Sequence, residues 1–201
     1  MIRRPPISTH LYSSAASDVY KRQVKECLDT GWISSSGSYV NRFEKSIAEF
    51  VGAKFAIACM NGTVGLQISQ LVCGVNADDY VIAPNLTFVA TINSIKYLGA
   101  SPILIDCTCD SWQMDLDLLE YFLQNETELK KISGSWHSYR KTDGRRISTV
   151  IPVHVLGNIG EISRLIEICK KYHLVMIEDR AEALGSFYNS CLLYTSDAAD
   201  E

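Results

Sequence analysis

Two acids stand where an apolar run stops. Leu174-Val175-Met176-Ile177 leads into Glu178-Asp179, Glu182 follows three residues after Asp179, and the small-residue segment ends at Gly185. Four consecutive apolar residues, two of them β-branched, read as a strand buried on both faces of a parallel sheet. In open α/β sheets ligands sit outside the carboxyl ends of the strands, which puts Asp179 where a site would be. A carboxylate at the mouth of an apolar strand is costly to bury without a cationic partner. Two readings follow. Asp179 caps the next helix, or it answers a cation carried by a ligand. The protonated ring nitrogen of pyridoxal phosphate is such a cation, because an aspartate beside it keeps the ring an electron sink.

Three further stretches bear on that choice. Phe55–Cys59 reads as a short strand, and Met60-Asn61-Gly62-Thr63-Val64-Gly65-Leu66 opens an apolar helix after it. A strand, a glycine turn and a helix start can hold phosphate through first-turn N–H groups, the helix dipole and a threonine hydroxyl. Asn-Gly is also simply a turn. The stretch lacks the GxGxxG of a dinucleotide site and the lysine of a P-loop. Phe88 falls in the first turn of the helix after strand Tyr80–Ala83, where an aromatic either stacks on a planar ligand or fills the core. His154 ends the strand Ser148–Val155 and is either a structural histidine or a site residue. Phosphate, ring and ring nitrogen are what a pyridoxal phosphate site must hold.

The elements that would position these residues alternate along the chain. Val24–Thr30 reads as a short helix ended by Gly31, and Val40, Phe43, Ile47 and Phe50 mark one face of a helix ended by Gly52. The helix from Asn85 stops at Gly99, and Pro102–Asp106 is a strand ending in an acid. Leu116, Leu119, Phe122 and Leu123 form a helical stripe, as do Ile162, Leu165, Ile166 and Cys169. Glu126–Arg146, polar and uneven, reads as a surface excursion. The fold class is therefore α/β, a mostly parallel sheet covered by helices, with neither a repeat nor a second domain visible.

Composition fits this. The 201 residues are 47% hydrophobic and 21% charged, with net charge −4, which speaks against a nucleic-acid or anionic-lipid partner. No apolar run has transmembrane length. Seven cysteines without a CxxC pair are expected to be reduced thiols of a cytoplasmic protein, and Cys107 and Cys109 with no histidine nearby make a poor metal site.

The two ends differ from the rest. Residues 1–23 and 191–201 show no helical or strand period and no signal-peptide core. Asp18–Gln23 can be encoded as GAT GTG TAT AAG AGA CAG, and its reverse complement, read one base over, encodes Cys191-Leu192-Leu193-Tyr194-Thr195-Ser196. Such an inverted pair resembles the transposase ends of DNA-library adapters. The expectation is that both flanks are adapter-derived or disordered and that residues 24–190 are the N-terminal part of a larger domain.

Within 24–190 five ordered motifs stand out: Gly31-Trp32-Ile33-Ser34-Ser35-x-Gly37-x-Tyr39-Val40, Asn61-Gly62-Thr63-x-x-Leu66, Pro84-Asn85-Leu86-Thr87-Phe88-Val89-Ala90-Thr91, Pro152-Val153-His154 with Gly157, and Glu178-Asp179-x-Ala181-Glu182-Ala183-Leu184-Gly185. In these the chain resembles the DegT/DnrJ/StrS sugar aminotransferases. The resemblance implies the large domain of a fold-type-I pyridoxal phosphate transferase, three-layer α/β/α and incomplete at its C-terminus. It implies an amino group moved from glutamate to a nucleotide-linked keto sugar for surface polysaccharide synthesis, in a homodimer. Carried over by residue, Gly62, Thr63 and Val64 would hold the phosphate, Phe88 would stack on the ring, Asp179 would pair with the ring nitrogen and Glu182 would lie near the ring hydroxyl. Trp32, Ser34, Gly37 and His154 would face the sugar nucleotide. The motifs are closest to those of nonulosonate-pathway (legionaminate-like) members, which implies a 4-keto-6-deoxy-N-acetylhexosamine on UDP or GDP.

The chain departs from that pattern in two places. Arg180 stands where the family carries a small residue, and its guanidinium could compete for Asp179 or crowd the strand end. The family's Schiff-base lysine lies downstream of the aspartate motif, and this chain has no lysine after Lys171. Without it no proton-shuttling base is present, so no catalytic residue is assigned and the chain itself is expected to be inactive. Two other readings stay open: a sugar dehydratase of the same fold, in which a histidine replaces the lysine, and a non-catalytic binding module.

Overall fold

The computed structural model describes residues 9–34, 36–188 and 191–192. The parts of the two flanks at 1–8 and 193–201 lie outside the described residues. The chain divides into two compact units, Met1–Ala58 and Cys59–Glu201, a boundary that nothing in the sequence marked.

The first unit holds two helices. α1 runs Thr9–Thr30, well before the Val24 start read from periodicity. The segment from Thr9 contains neither proline nor glycine up to Gly31, so nothing stops a helix from propagating through it, even though it has no apolar stripe to reveal it. α2, Ser38–Val51, ends as expected at Gly52, which takes the left-handed conformation and donates its N–H to Ala48. The stripe of α2 is not a core face here, since Phe43 and Phe50 are 58% and 54% exposed. Phe55–Cys59 forms no strand. Its apolar run would suit a sheet, but among the described residues no strand pairs with it in a ladder.

The second unit is built on one six-stranded sheet. After α3 (Gly62–Val72) come β1 (Tyr80–Pro84), α4 (Val89–Tyr97), β2 (Ser101–Ile105) and α5 (Leu116–Glu126). Then follow β3 (Thr127–Ile132), β4 (Ser135–Arg140), β5 (Arg146–Val150), a 3₁₀ turn at Val155–Gly157, α6 (Ile162–Tyr172) and β6 (Val175–Met176). A two-residue ladder, β7 (Phe187–Tyr188) with β8 (Cys191–Leu192), closes the described chain and begins the segment read as shapeless. The order across the sheet is β2-β1-β5-β4-β3, and β6 also pairs with β5. β1, β2, β5 and β6 are parallel; β1, β2 and β6 each follow a helix, whereas β5 follows the β3–β4 hairpin.

Side chains alternate across this sheet, and the alternation makes three layers. Tyr80 and Ile82 point to one face, where they pack with Leu119, Leu123, Leu165 and Ile168 from α5 and α6. Val81 and Ala83 point to the other, against Leu66 of α3 and Ile95 of α4. Helices on both faces of a largely parallel sheet are the α/β/α class expected.

Two expectations fail in this unit. Glu126–Arg146 is not a loose excursion but the β3–β4 hairpin, which joins the sheet antiparallel to β5 at Ser138–Ile147 and Tyr139–Arg146. β3 is exposed along all but Thr127, so no apolar alternation could reveal it. The strand leading to Asp179 is not buried on both faces either. β6 lies at the edge of the ladder beside β5 and Val175 is 40% exposed.

Cys169 sits in the larger core cluster, and burial pushes its thiol up to about 12 from 9.0. Thiolate is the reactive form. Cys169 should therefore take up iodoacetamide at least about tenfold more slowly than exposed Cys109 in the native chain, and at the same rate in denaturant. Peptide mass spectrometry of the alkylated protein checks this.

Candidate active site

The carboxyl ends of β1, β5 and β6 meet at one cleft of about 710 Å³, a volume typical of small-ligand sites. Pairing continues past β6 itself: Asp179 donates its N–H to the Pro152 carbonyl at 2.9 Å and accepts from the His154 N–H at 3.2 Å. This bridge carries Asp179 beyond the sheet, level with Val153. Gly62, Thr63, Phe88, His154, Asp179 and Glu182 all line the cleft, although as many as 120 residues separate them in sequence.

Asp179 does not cap a helix, since among the described residues no regular helix follows it. Its Oδ1 accepts from the Ala181 N–H at 3.2 Å and its Oδ2 from the Thr91 hydroxyl at 2.9 Å. Each oxygen keeps a further lone pair. At the opposite chain position Asn61 caps α3 and accepts from Val64 N at 3.0 Å. Val64 therefore has its N–H already committed and does not line the cleft. Among the described residues nothing accepts from the N–H groups of Gly62 or Thr63, so two unengaged donors stand at a helix N-terminus that lines the cleft. Phe88 is 77% exposed at the start of α4 and is not the core aromatic the sequence left open. So large an apolar face in a cleft is a contact surface.

Glu182 reaches back across the cleft edge. Its carboxylate accepts from Leu156 N at 2.6 Å, holding the 3₁₀ turn in which Leu156 has φ 55°. Next to it Gly157 has φ 75°, and a Cβ there would lie 3.0 Å from the Glu182 carbonyl, so a side chain at this position is strained and crowds that carbonyl.

His154 is 2% exposed and its Nε2 lies 2.8 Å from Glu178 Oε2. Arg180 forks onto the same carboxylate, with Nη2 at 2.5 Å from Oε1 and Nε at 3.1 Å from Oε2. The guanidinium thus spends two N–H groups on Glu178, the acid beside Asp179. Burial draws the Glu178 carboxyl upward, but hydrogen bonds from His154 and Arg180 outweigh it and hold the group below its ordinary value.

Trp32, Ser34 and Gly37 lie in the first unit, on the turn between α1 and α2, where with Tyr39 they line a hollow of about 410 Å³. Sequence reasoning missed three residues of the cleft. Thr87 and Trp112 line it, and Thr91 supports its acid. Trp112 holds φ 60°, costly for so bulky a side chain, and is half exposed. An aromatic in the polar stretch Cys109-Asp110-Ser111-Trp112 is the signal that could have found it.

The profile of the DegT/DnrJ/EryC1/StrS aminotransferase family matches residues 16–192. The chain belongs to this family. GDP-perosamine synthase from Escherichia coli O157:H7 is 35% identical over 178 residues, which are 89% of this chain and 43% of that protein. The crystal structure of a DegT DnrJ EryC1 StrS aminotransferase from Brucella abortus superposes with a TM-score of 0.74 at 26% identity, covering 91% of this chain and 45% of that one. NtdA from Bacillus subtilis, solved with bound cofactor PMP, gives 0.68 at 27% identity over 82% of this chain and 33% of its own. The chain spans less than half the length of each of these relatives. Its fold is that of the pyridoxal phosphate aminotransferases of this family.

Proposed function

We propose that the cleft holds pyridoxal phosphate or its amino form, and that the protein to which this chain belongs moves an amino group from glutamate to a keto sugar carried on UDP or GDP. One observation carries the cofactor reading: a carboxylate with an open lone pair, two unengaged helix-start N–H groups and an exposed aromatic line a single cleft of suitable volume. Gly62 and Thr63 would hold the phosphate, with Val64 completing the turn through its bond to Asn61. Phe88 would cover the ring. Asp179 would keep a proton on the ring nitrogen, and Glu182, through the Leu156 turn, would shape the wall near the ring hydroxyl. Bound there, the cofactor supplies an electron sink for the carbon whose amino group is exchanged.

The sugar reading rests on the family and on relatives named for nucleotide sugars. Trp32, Ser34, Gly37 and His154 are the residues we assign to the substrate, and the parent is expected to act as a homodimer in the cytoplasm. Among the described residues no helix is long and apolar enough to cross a membrane. With no lysine after Lys171, the 201-residue chain lacks a base for the proton transfers and should bind cofactor without turning over. The test is an amination assay of the full-length parent with glutamate and UDP- and GDP-linked 4-keto-6-deoxy sugars, N-acetylated hexosamines included. The expected result is one 2-oxoglutarate per amino sugar formed. Turnover of none of these sugars would overturn the substrate assignment.

A further inference from the structure

The acid of the cleft is held from behind by hydroxyls that belong to the helix start carrying Phe88. Thr91 Oγ1 donates to Asp179 Oδ2 at 2.9 Å, and Thr87 Oγ1 lies 2.8 Å from Thr91 Oγ1. The direction of this pair follows from proton counting. A threonine hydroxyl has one proton, and Thr91 gives its own to Asp179, so within the pair Thr87 is the donor; the Phe88 carbonyl, 3.3 Å from Thr87 Oγ1, is a second and longer acceptor for that proton. Thr91 is fully buried, and its backbone carbonyl is pinned by the Ser94 hydroxyl at 2.7 Å, itself bonded by Gln70 Nε2 of α3 at 2.8 Å. The hydroxyl facing Asp179 therefore belongs to a residue that cannot drift.

We infer that Thr91 is a positioning residue for the cofactor's ring nitrogen, and that Thr87 and Thr91 together form a strut setting Asp179 in register with Phe88. The inference rests on the cofactor reading given above. Thr87 and Thr91 are four residues apart, so their side chains come to one side of the first turn while Phe88, between them, projects into the cleft. One pair of hydroxyls thus ties the group that would cover the ring to the group that would meet its nitrogen. Without it, Asp179 keeps only the Ala181 N–H and is free to turn about its side-chain torsions. A hydrogen bond to a charged group is worth enough that its loss should weaken cofactor binding about tenfold.

The experiment uses the 201-residue chain and pyridoxamine phosphate labelled with ¹⁵N in the ring, whose amino form needs no lysine to bind. Affinity is measured by calorimetry and ring-nitrogen protonation by ¹⁵N chemical shift. In the unaltered chain the bound ring nitrogen should be protonated at neutral pH. Thr91→Val, close in volume, should bind about tenfold more weakly with a smaller protonated fraction, and Thr91→Ser should restore both to within about threefold. Thr87→Val should give a weaker loss of the same kind, and serves as the measurement if Thr91→Val does not fold. A Thr91→Val chain (or, in its place, Thr87→Val) that folds, binds and protonates the ring as the unaltered chain does would overturn the strut and leave the role of Asp179 standing. No binding, or an unprotonated ring in the unaltered chain, would overturn the cofactor reading and the strut with it.

Discussion

Asp179→Ala is expected to weaken pyridoxamine phosphate binding to this chain by about a hundredfold, while leaving the fold intact. Asp179 and Ala181 line the cleft, so water can enter the space the carboxylate vacates and meet the Thr91 hydroxyl and the Ala181 N–H that it had bonded. The proton on the ring nitrogen loses its counter-charge altogether. Truncating one partner of a hydrogen-bonded charge pair costs about 2–5 kcal/mol, and the lower part of that range corresponds to about a hundredfold in affinity. Asp179→Asn separates charge from contact. An amide can donate to an unprotonated ring nitrogen, so binding should recover to within about tenfold of the parent chain, but the ring should no longer hold its proton. Calorimetry gives the affinities and near-ultraviolet absorbance the protonation state. Equal binding by Asp179→Ala would show that the ring nitrogen does not meet this acid.

Glu178→Gln is expected to cost about 2–3 kcal/mol of stability, read as a lower midpoint in urea unfolding at neutral pH. Glu178 is the shared acceptor for buried His154 and for both N–H groups of the Arg180 fork. A neutral amide removes the Glu178 charge from beside a guanidinium whose side chain is only 22% exposed. The pH dependence has a definite sign. The carboxyl is held below its ordinary 4.5 in the folded chain, so on acidification the unfolded chain takes up this proton first. The contribution is complete above about pH 4.5 and is lost as pH falls through the lower folded value. The difference between the two stability curves should therefore be flat at neutral pH and shrink below that point. Arg180→Ala alone should cost less, and the double variant less than the sum of the two, since the two residues share the same pair of bonds.

These two acids show what the sequence could and could not say. Asp179 was legible because a strand rule locates it: an apolar run stops, and the carboxyl edge of a parallel sheet is where ligands go. Gly62 and Thr63 were legible for the same kind of reason. Arg180 forks onto Glu178, a pairing that neither reading of it, competing for Asp179 or crowding the strand end, anticipated, because spacing alone cannot tell which of two adjacent acids a long side chain will fold back onto. The Thr91 bond to Asp179 spans 88 residues and needs the β1–β6 geometry before it exists. The β3–β4 hairpin escaped because period-two alternation needs one buried face, and this ribbon has almost none. Phe55–Cys59 erred the other way. Its pattern was sound, but a strand needs a partner as well as a pattern. The start of α1 was invisible because that helix carries no stripe to read.

The division of β5 between two neighbours has a practical consequence. Its first residues, Arg146 and Ile147, pair with the hairpin, and its last, Thr149 and Val150, pair with the strand that leads to Asp179. The hairpin tip, Ser133-Gly134, holds both residues at positive φ in a two-residue turn joining strands that are mostly solvent-facing. A reporter group or affinity tag spliced into that turn would therefore ride on the far half of the shared strand, away from the half that leads to Asp179.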